Sequence, residues 1–126
     1  MNIALWIVQI LLAAFFVMVG FTKGFSPIAE LGAQMAWVND VSTLMVRLPG
    51  YAEILGGLGL ILPALTRIQP RLTPLAAGGL VLVMLSAFVF HLTRGEIGGA
   101  IFPLILGLLC AFVYYGRTKV APIAPR

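Results

Sequence analysis

The sequence predicts an all-α fold: a transmembrane four-helix bundle with a short amphipathic interfacial helix between its first and second spans. Three observations carry this reading. Of the 126 residues, 61% are apolar and only 10% charged, with a mean hydropathy of +1.08, where a soluble domain carries about 25% charged residues. A chain this short cannot hide so much apolar surface in a water-soluble core, because small domains leave a large fraction of their surface exposed. The apolar residues also fall into four runs, each long enough to cross the hydrocarbon layer as a helix. Finally, the eight Lys and Arg residues stand singly between those runs. That spacing reads as charge flanking membrane spans, not as a nucleic-acid footprint, so the expected partner is the lipid bilayer. One membrane domain over 1–119 and a flexible tail over 120–126 follow.

Span one covers 3–21, and Gln9 is its single polar side chain. No basic stretch precedes it and it is longer than the apolar core of a signal peptide, so an uncleaved span is expected. Trp6 near its start suits the membrane–water interface. The run closes on Gly20-x-x-x-Gly24, a spacing that lets helices approach closely. Lys23 within that motif has two readings: it snorkels to the headgroups, or it faces inward as partner to an acid.

In the connection that follows, Ser26-Pro27 reads as a helix N-cap and first-turn proline. Ile28, Leu31, Met35 and Val38 then recur at helical spacing, opposite Glu30 and Gln34. An amphipathic helix lying in the interface with Trp37 as anchor fits this pattern; a lid folded over the bundle mouth is the alternative.

Span two is expected over 49–65, with Pro49 in its first turn. It carries Glu53, the one carboxylate inside the apolar runs. A lone acid in a membrane helix needs a partner or a function. Gly56, Gly57 and Gly59 follow. They create either a face for close helix packing or a groove for a flat ligand. Pro63 kinks or ends the span.

The turn 66–73 carries Arg67 and Arg71, and Thr73-Pro74 again reads as a cap with first-turn proline. Span three, 74–92, ends at His91, followed by Arg94 and Glu96. A histidine there is either a hydrogen-bonded structural group or one that exchanges protons near neutral pH. Span four, 98–115, has Pro103 one turn in and closes on Tyr114-Tyr115, an interfacial pair followed by Arg117 and Lys119. Cys110 within it reads as inert packing, and there is no CxxC redox pair.

Four spans put both termini on one side. That side holds Arg67, Arg71, Arg117, Lys119 and Arg126 with no acid; the other holds Lys23, Arg47 and Arg94 with Glu30, Asp40 and Glu96. The imbalance predicts cytoplasmic termini in a cell (inner or plasma) membrane. Lys23, Glu53 and His91, from three different helices, fall at the same level near the opposite side. They form the candidate polar cluster, with Lys23–Glu53 as an ion pair and His91 as the proton-exchanging group. One His and one Cys do not make a haem or iron–sulfur site, so no metal is expected. The absence of a nucleophile–base motif or phosphate loop speaks against a hydrolase or nucleotide enzyme. Whether the protein catalyses anything is left open.

The order and spacing of several short motifs resemble those of the DoxX-like family of small four-span membrane proteins. They are Gly20-Phe21-Thr22-Lys23, Glu53-Ile54-Leu55-Gly56, Gly59-Leu60-Ile61-Leu62-Pro63, Phe90-His91-Leu92 and Tyr115-Gly116-Arg117. The resemblance runs over nearly the whole chain. One departure is the stretch Gly98–Pro103, where family members often carry an asparagine. The family takes its name from a subunit of an archaeal thiosulfate:quinone oxidoreductase, and relatives are linked to oxidative stress and sulfur metabolism. The resemblance therefore implies a four-helix membrane bundle. It also implies a redox-associated subunit or a protein binding quinone or another small lipophile, working with a soluble redox partner. The alternatives are a non-catalytic assembly partner, docking another membrane protein or a second copy of itself through the small-residue faces of spans two and three, and a small-molecule carrier.

Overall fold

The computed structural model describes residues 1–126. It is all-helical, with no strands. Helix α1 runs over Asn2–Phe25, the short α2 over Ile28–Gln34 and a 3₁₀ turn over Ala36–Asp40. Helices α3 (Thr43–Thr66), α4 (Leu72–Thr93) and α5 (Ile97–Tyr115) follow, and a π-helical turn, Gly116–Val120, extends α5. Four segments are long and apolar enough to cross a membrane: Asn2–Phe25, Thr43–Thr66, Leu72–Thr93 and Ile97–Val120. Only 26 of the 126 residues are buried, and large apolar side chains such as Leu11, Leu55, Leu75, Leu82 and Leu108 face outward. Such a surface is stable against hydrocarbon and not against water, so this is a multi-pass membrane protein.

Between membrane helices there is little hydrophobic drive, and close packing holds them together. Helix α1 packs chiefly on α3, α3 on α4, and α4 on α5. The α1–α3 crossing is built on glycine. A β-carbon at Gly20 would come within 2.5 Å of the Gly50 carbonyl oxygen and 2.9 Å of the Ile54 backbone nitrogen. In the half of the bundle near the termini, Leu12, Ala13, Phe16, Leu60, Ala77, Leu80, Met84, Cys110 and Val113 form one buried core. At the opposite end Leu31, Val38 and Val46 form a small satellite core, tying α2 and the 3₁₀ turn to the start of α3.

Two details depart from the sequence reading. Helix α3 begins at Thr43 and not at Pro49: Ser42 Oγ accepts the Met45 backbone N–H at 3.3 Å, and Val46 anchors the added turns in the satellite core. Pro49 therefore sits inside the helix, where it removes one ladder hydrogen bond. Thr73 is not a cap. It lies within α4, fully buried, and its hydroxyl donates to the Gly59 carbonyl across the α3–α4 contact at 2.9 Å. The segment after Val120 lies back against the α3–α4 turn: Arg67 Nε donates to the Ala124 carbonyl and the Arg126 N–H to the Arg67 carbonyl, both at 3.0 Å.

Candidate functional site

Toward the end opposite the termini, the four long helices line a cavity of about 650 Å³, with Met35, Trp37 and Val41 of the α2–3₁₀ region at its edge. Its walls are mostly apolar and rich in rings: Phe15 and Phe16 from α1, Phe90 from α4 and Phe102 from α5. Phe15 and Phe102 meet edge to face, 5.4 Å between centroids, bridging α1 and α5. Lys23, Glu53 and His91 all lie on the cavity wall.

Lys23 and Glu53 are joined directly: Lys23 Nζ donates to Glu53 Oε1 at 2.9 Å, with the Glu53 side chain 2% exposed and that of Lys23 17%. The local sequence makes this contact possible. A β-carbon at Gly50 would lie 2.8 Å from Lys23 Cβ, so glycine lets the last turn of α1 come down onto α3. Two α3 side chains then satisfy α1's end carbonyls, which have no partner within their own helix. Arg47 Nη1 donates to the Lys23 carbonyl at 3.0 Å and Tyr51 Oη to the Gly24 carbonyl at 3.1 Å. The Arg47 cation also suits the negative end of the helix dipole. Glu53 Oε2 is buried without a partner.

His91 takes a different partner. Its Nδ1 lies 2.9 Å from Glu96 Oε1. An ionised carboxylate only accepts, so Nδ1 carries the hydrogen and, in the neutral ring, Nε2 is left as the acceptor. Glu96 also accepts from Arg94 Nε at 3.1 Å, and Arg94 Nη2 reaches Asp40 Oδ2 of the 3₁₀ turn at 2.8 Å. The hydrogen bond from His91, and then the Arg94 guanidinium, hold the Glu96 carboxyl below the usual carboxylate range. Trp37 covers this corner, its ring 5.7 Å from that of Phe90 and 6.4 Å from that of His91. The structure thus brings Lys23 and Glu53 together, and places His91 on the same cavity but in a hydrogen bond to Glu96.

Gly56, Gly57 and Gly59 of α3 lie elsewhere, at helix crossings and not on the cavity wall. A β-carbon at Gly56 would meet the Leu80 side chain at 2.6 Å, one at Gly57 would meet Val17 at 2.9 Å and the Ala13 carbonyl at 3.1 Å, and one at Gly59 would meet Ala76 Cβ at 2.6 Å. The His, Cys, Asp and Glu side chains do not converge in any group of three.

Sequence reasoning missed a second polar centre, at the termini end. Arg117 is 3% exposed. Its Nε donates to Gln9 Oε1 at 2.6 Å, and its Nη1 to Asn2 Oδ1 at 2.7 Å and to the Ala121 carbonyl at 2.9 Å. The guanidinium stands 5.4 Å from the centre of the Trp6 ring. Gln9 Nε2 in turn donates to the Leu60 carbonyl at 2.6 Å, linking α1 to α3. The signal was present in Gln9, a single amide in an apolar run, but its partner lies 108 positions away.

Among known protein families, residues 7–113 match the DoxX-like family. No curated protein and no solved structure matches the chain.

Proposed function

The chain belongs to the DoxX-like family, and from that premise we propose that its cavity binds a flat lipophilic ring molecule of the quinone class, making the protein the membrane subunit of a redox system. The cavity itself carries this reading. Its volume of about 650 Å³ falls within the roughly 300–1,000 Å³ of small-molecule sites. Its ring-lined walls suit a flat apolar body, and its polar groups are few and placed together. Lys23 still has hydrogens to donate to a quinone carbonyl, and the unpartnered Glu53 Oε2 is an acceptor suited to the hydroxyl of the reduced form. His91, with Nε2 free to accept, stands on the same wall as a second group able to take a proton. In this proposal the termini are cytoplasmic, on the excess of basic residues at that end. The cavity then faces the outer side, and electrons reach the quinone through a separate redox partner.

The test uses the full chain in nanodiscs, with Trp6→Phe so that Trp37 alone reports. Short-chain ubiquinone is expected to quench Trp37 saturably, and quinone is expected in the lipid extract of the purified protein. Ala87→Phe, which fills part of the cavity, should weaken quenching by at least about tenfold while the unfolding midpoint is retained. No co-purified quinone, together with the same weak quenching in Ala87→Phe, would sink the proposal.

A further inference from the structure

A second cavity, of about 590 Å³, lies at the termini end between the α3–α4 turn and the C-terminal segment. Its wall is polar where the first is apolar: Gln69, Arg71, Thr118 and the buried Arg117 contribute to it, with prolines from the turn and the tail between them. Arg117 is a guanidinium and stays charged. Yet every acceptor it touches is neutral: the Gln9 and Asn2 side-chain oxygens and the Ala121 carbonyl. The face of Trp6 adds only a quadrupole. All four ion pairs of the molecule lie at the opposite end, and Arg117 takes part in none. Its Nη2 is buried with no hydrogen-bond partner. A buried charge left without its counter-charge is strongly unfavourable. Arg71 on the same wall adds charge of the same sign, and no Asp or Glu lies at this end to balance it.

We infer that this cavity binds a phosphate group, with Arg117 Nη2 and Arg71 as its donors and the Thr118 hydroxyl beside them. A planar guanidinium with unused N–H groups matches phosphate oxygens in both geometry and charge. The end of the bundle where Tyr114 and Tyr115 mark the interface puts the site at headgroup depth. An anionic phospholipid headgroup and free inorganic phosphate present the same chemistry there. The site is separate from the ring-lined cavity and does not depend on what that cavity holds.

The full chain in a zwitterionic detergent tests this by its thermal unfolding midpoint. Phosphatidylglycerol, inorganic phosphate and sodium chloride at matched ionic strength are added in turn. A saturable rise with phosphatidylglycerol alone assigns the site to a lipid headgroup, a rise with phosphate alone to the free anion, and a rise with both to the phosphate group in either setting. Removing Arg117 also strips Gln9 and Asn2 of their donor, so Arg71→Gln is the decisive variant: Arg71 is exposed and has no partner inside the bundle. It should raise the half-saturating concentration by about tenfold or more. No rise beyond that given by chloride, or an equal response in Arg71→Gln, overturns the inference.

Discussion

Arg94 holds two carboxylates from two elements, Asp40 of the 3₁₀ turn and Glu96 at the start of α5, while His91 shares the second of them. These are the charged and titratable groups of this corner, and Trp37 packs over it. Glu96 is held below its ordinary value of 4.5 because its ionised form is hydrogen-bonded in the folded protein. Its contribution is therefore complete above that ordinary value and is lost as the pH falls through the lowered one. In a Trp6→Phe background, Trp37 emission should shift toward that of a wetter indole as the pH drops from about 6 to about 3. Glu96→Gln should remove most of the shift by starting in the loosened state. An unchanged emission over that range, or a full shift in Glu96→Gln, would show that the corner is not held by this carboxylate.

The helix crossings depend on what is missing from them. A methyl at Gly20 would press on the backbone of α3, which has no side chain to swing aside, whereas a methyl at Gly79 would meet nothing within 4 Å. Gly20→Ala should destabilise by about 1–3 kcal/mol. Gly79→Ala should be neutral or stabilising by up to about 1 kcal/mol, since alanine is the better helix former. Unfolding by SDS titration in bicelles measures both, and equal values would mean that the crossing is loose. The number of helices was legible because an apolar run and a fixed rise per residue leave little choice. The start of α3 was not. Pro49 reads locally as a first-turn proline, and what extends the helix before it is tertiary packing, where Val46 meets Leu31 and Val38. Thr73 was misread for the same kind of reason. A hydroxyl before proline suits a cap, and only the neighbouring helix shows that it bonds the Gly59 carbonyl instead. The Lys23–Glu53 pair was within reach because topology puts both residues at one level. The Gln9–Arg117 bond joins the two extremes of the chain, and no local pattern announces it.

The molecule as a whole has two polar ends of different character: the acid-paired cluster beside the ring-lined cavity, and the unbalanced cations near the termini. The proposed cytoplasmic placement of the latter is tested by cysteine labelling. Cys110 is fully buried and should be silent to a membrane-impermeant maleimide in intact cells. Ala124→Cys should then be labelled only after lysis, and Gln34→Cys, in the exposed α2, before it. The reverse pattern would turn the protein over and put the ring-lined cavity on the inner side. In either orientation, the core around Leu12, Phe16, Leu60 and Leu80 fills the half of the bundle beneath that cavity, and Arg117 fastens α5 to α1 below it. The cavity therefore has a floor: the straight path along the bundle axis from it toward the termini is filled by packed side chains. A guest held above that floor sits off the midplane, toward the end opposite the termini.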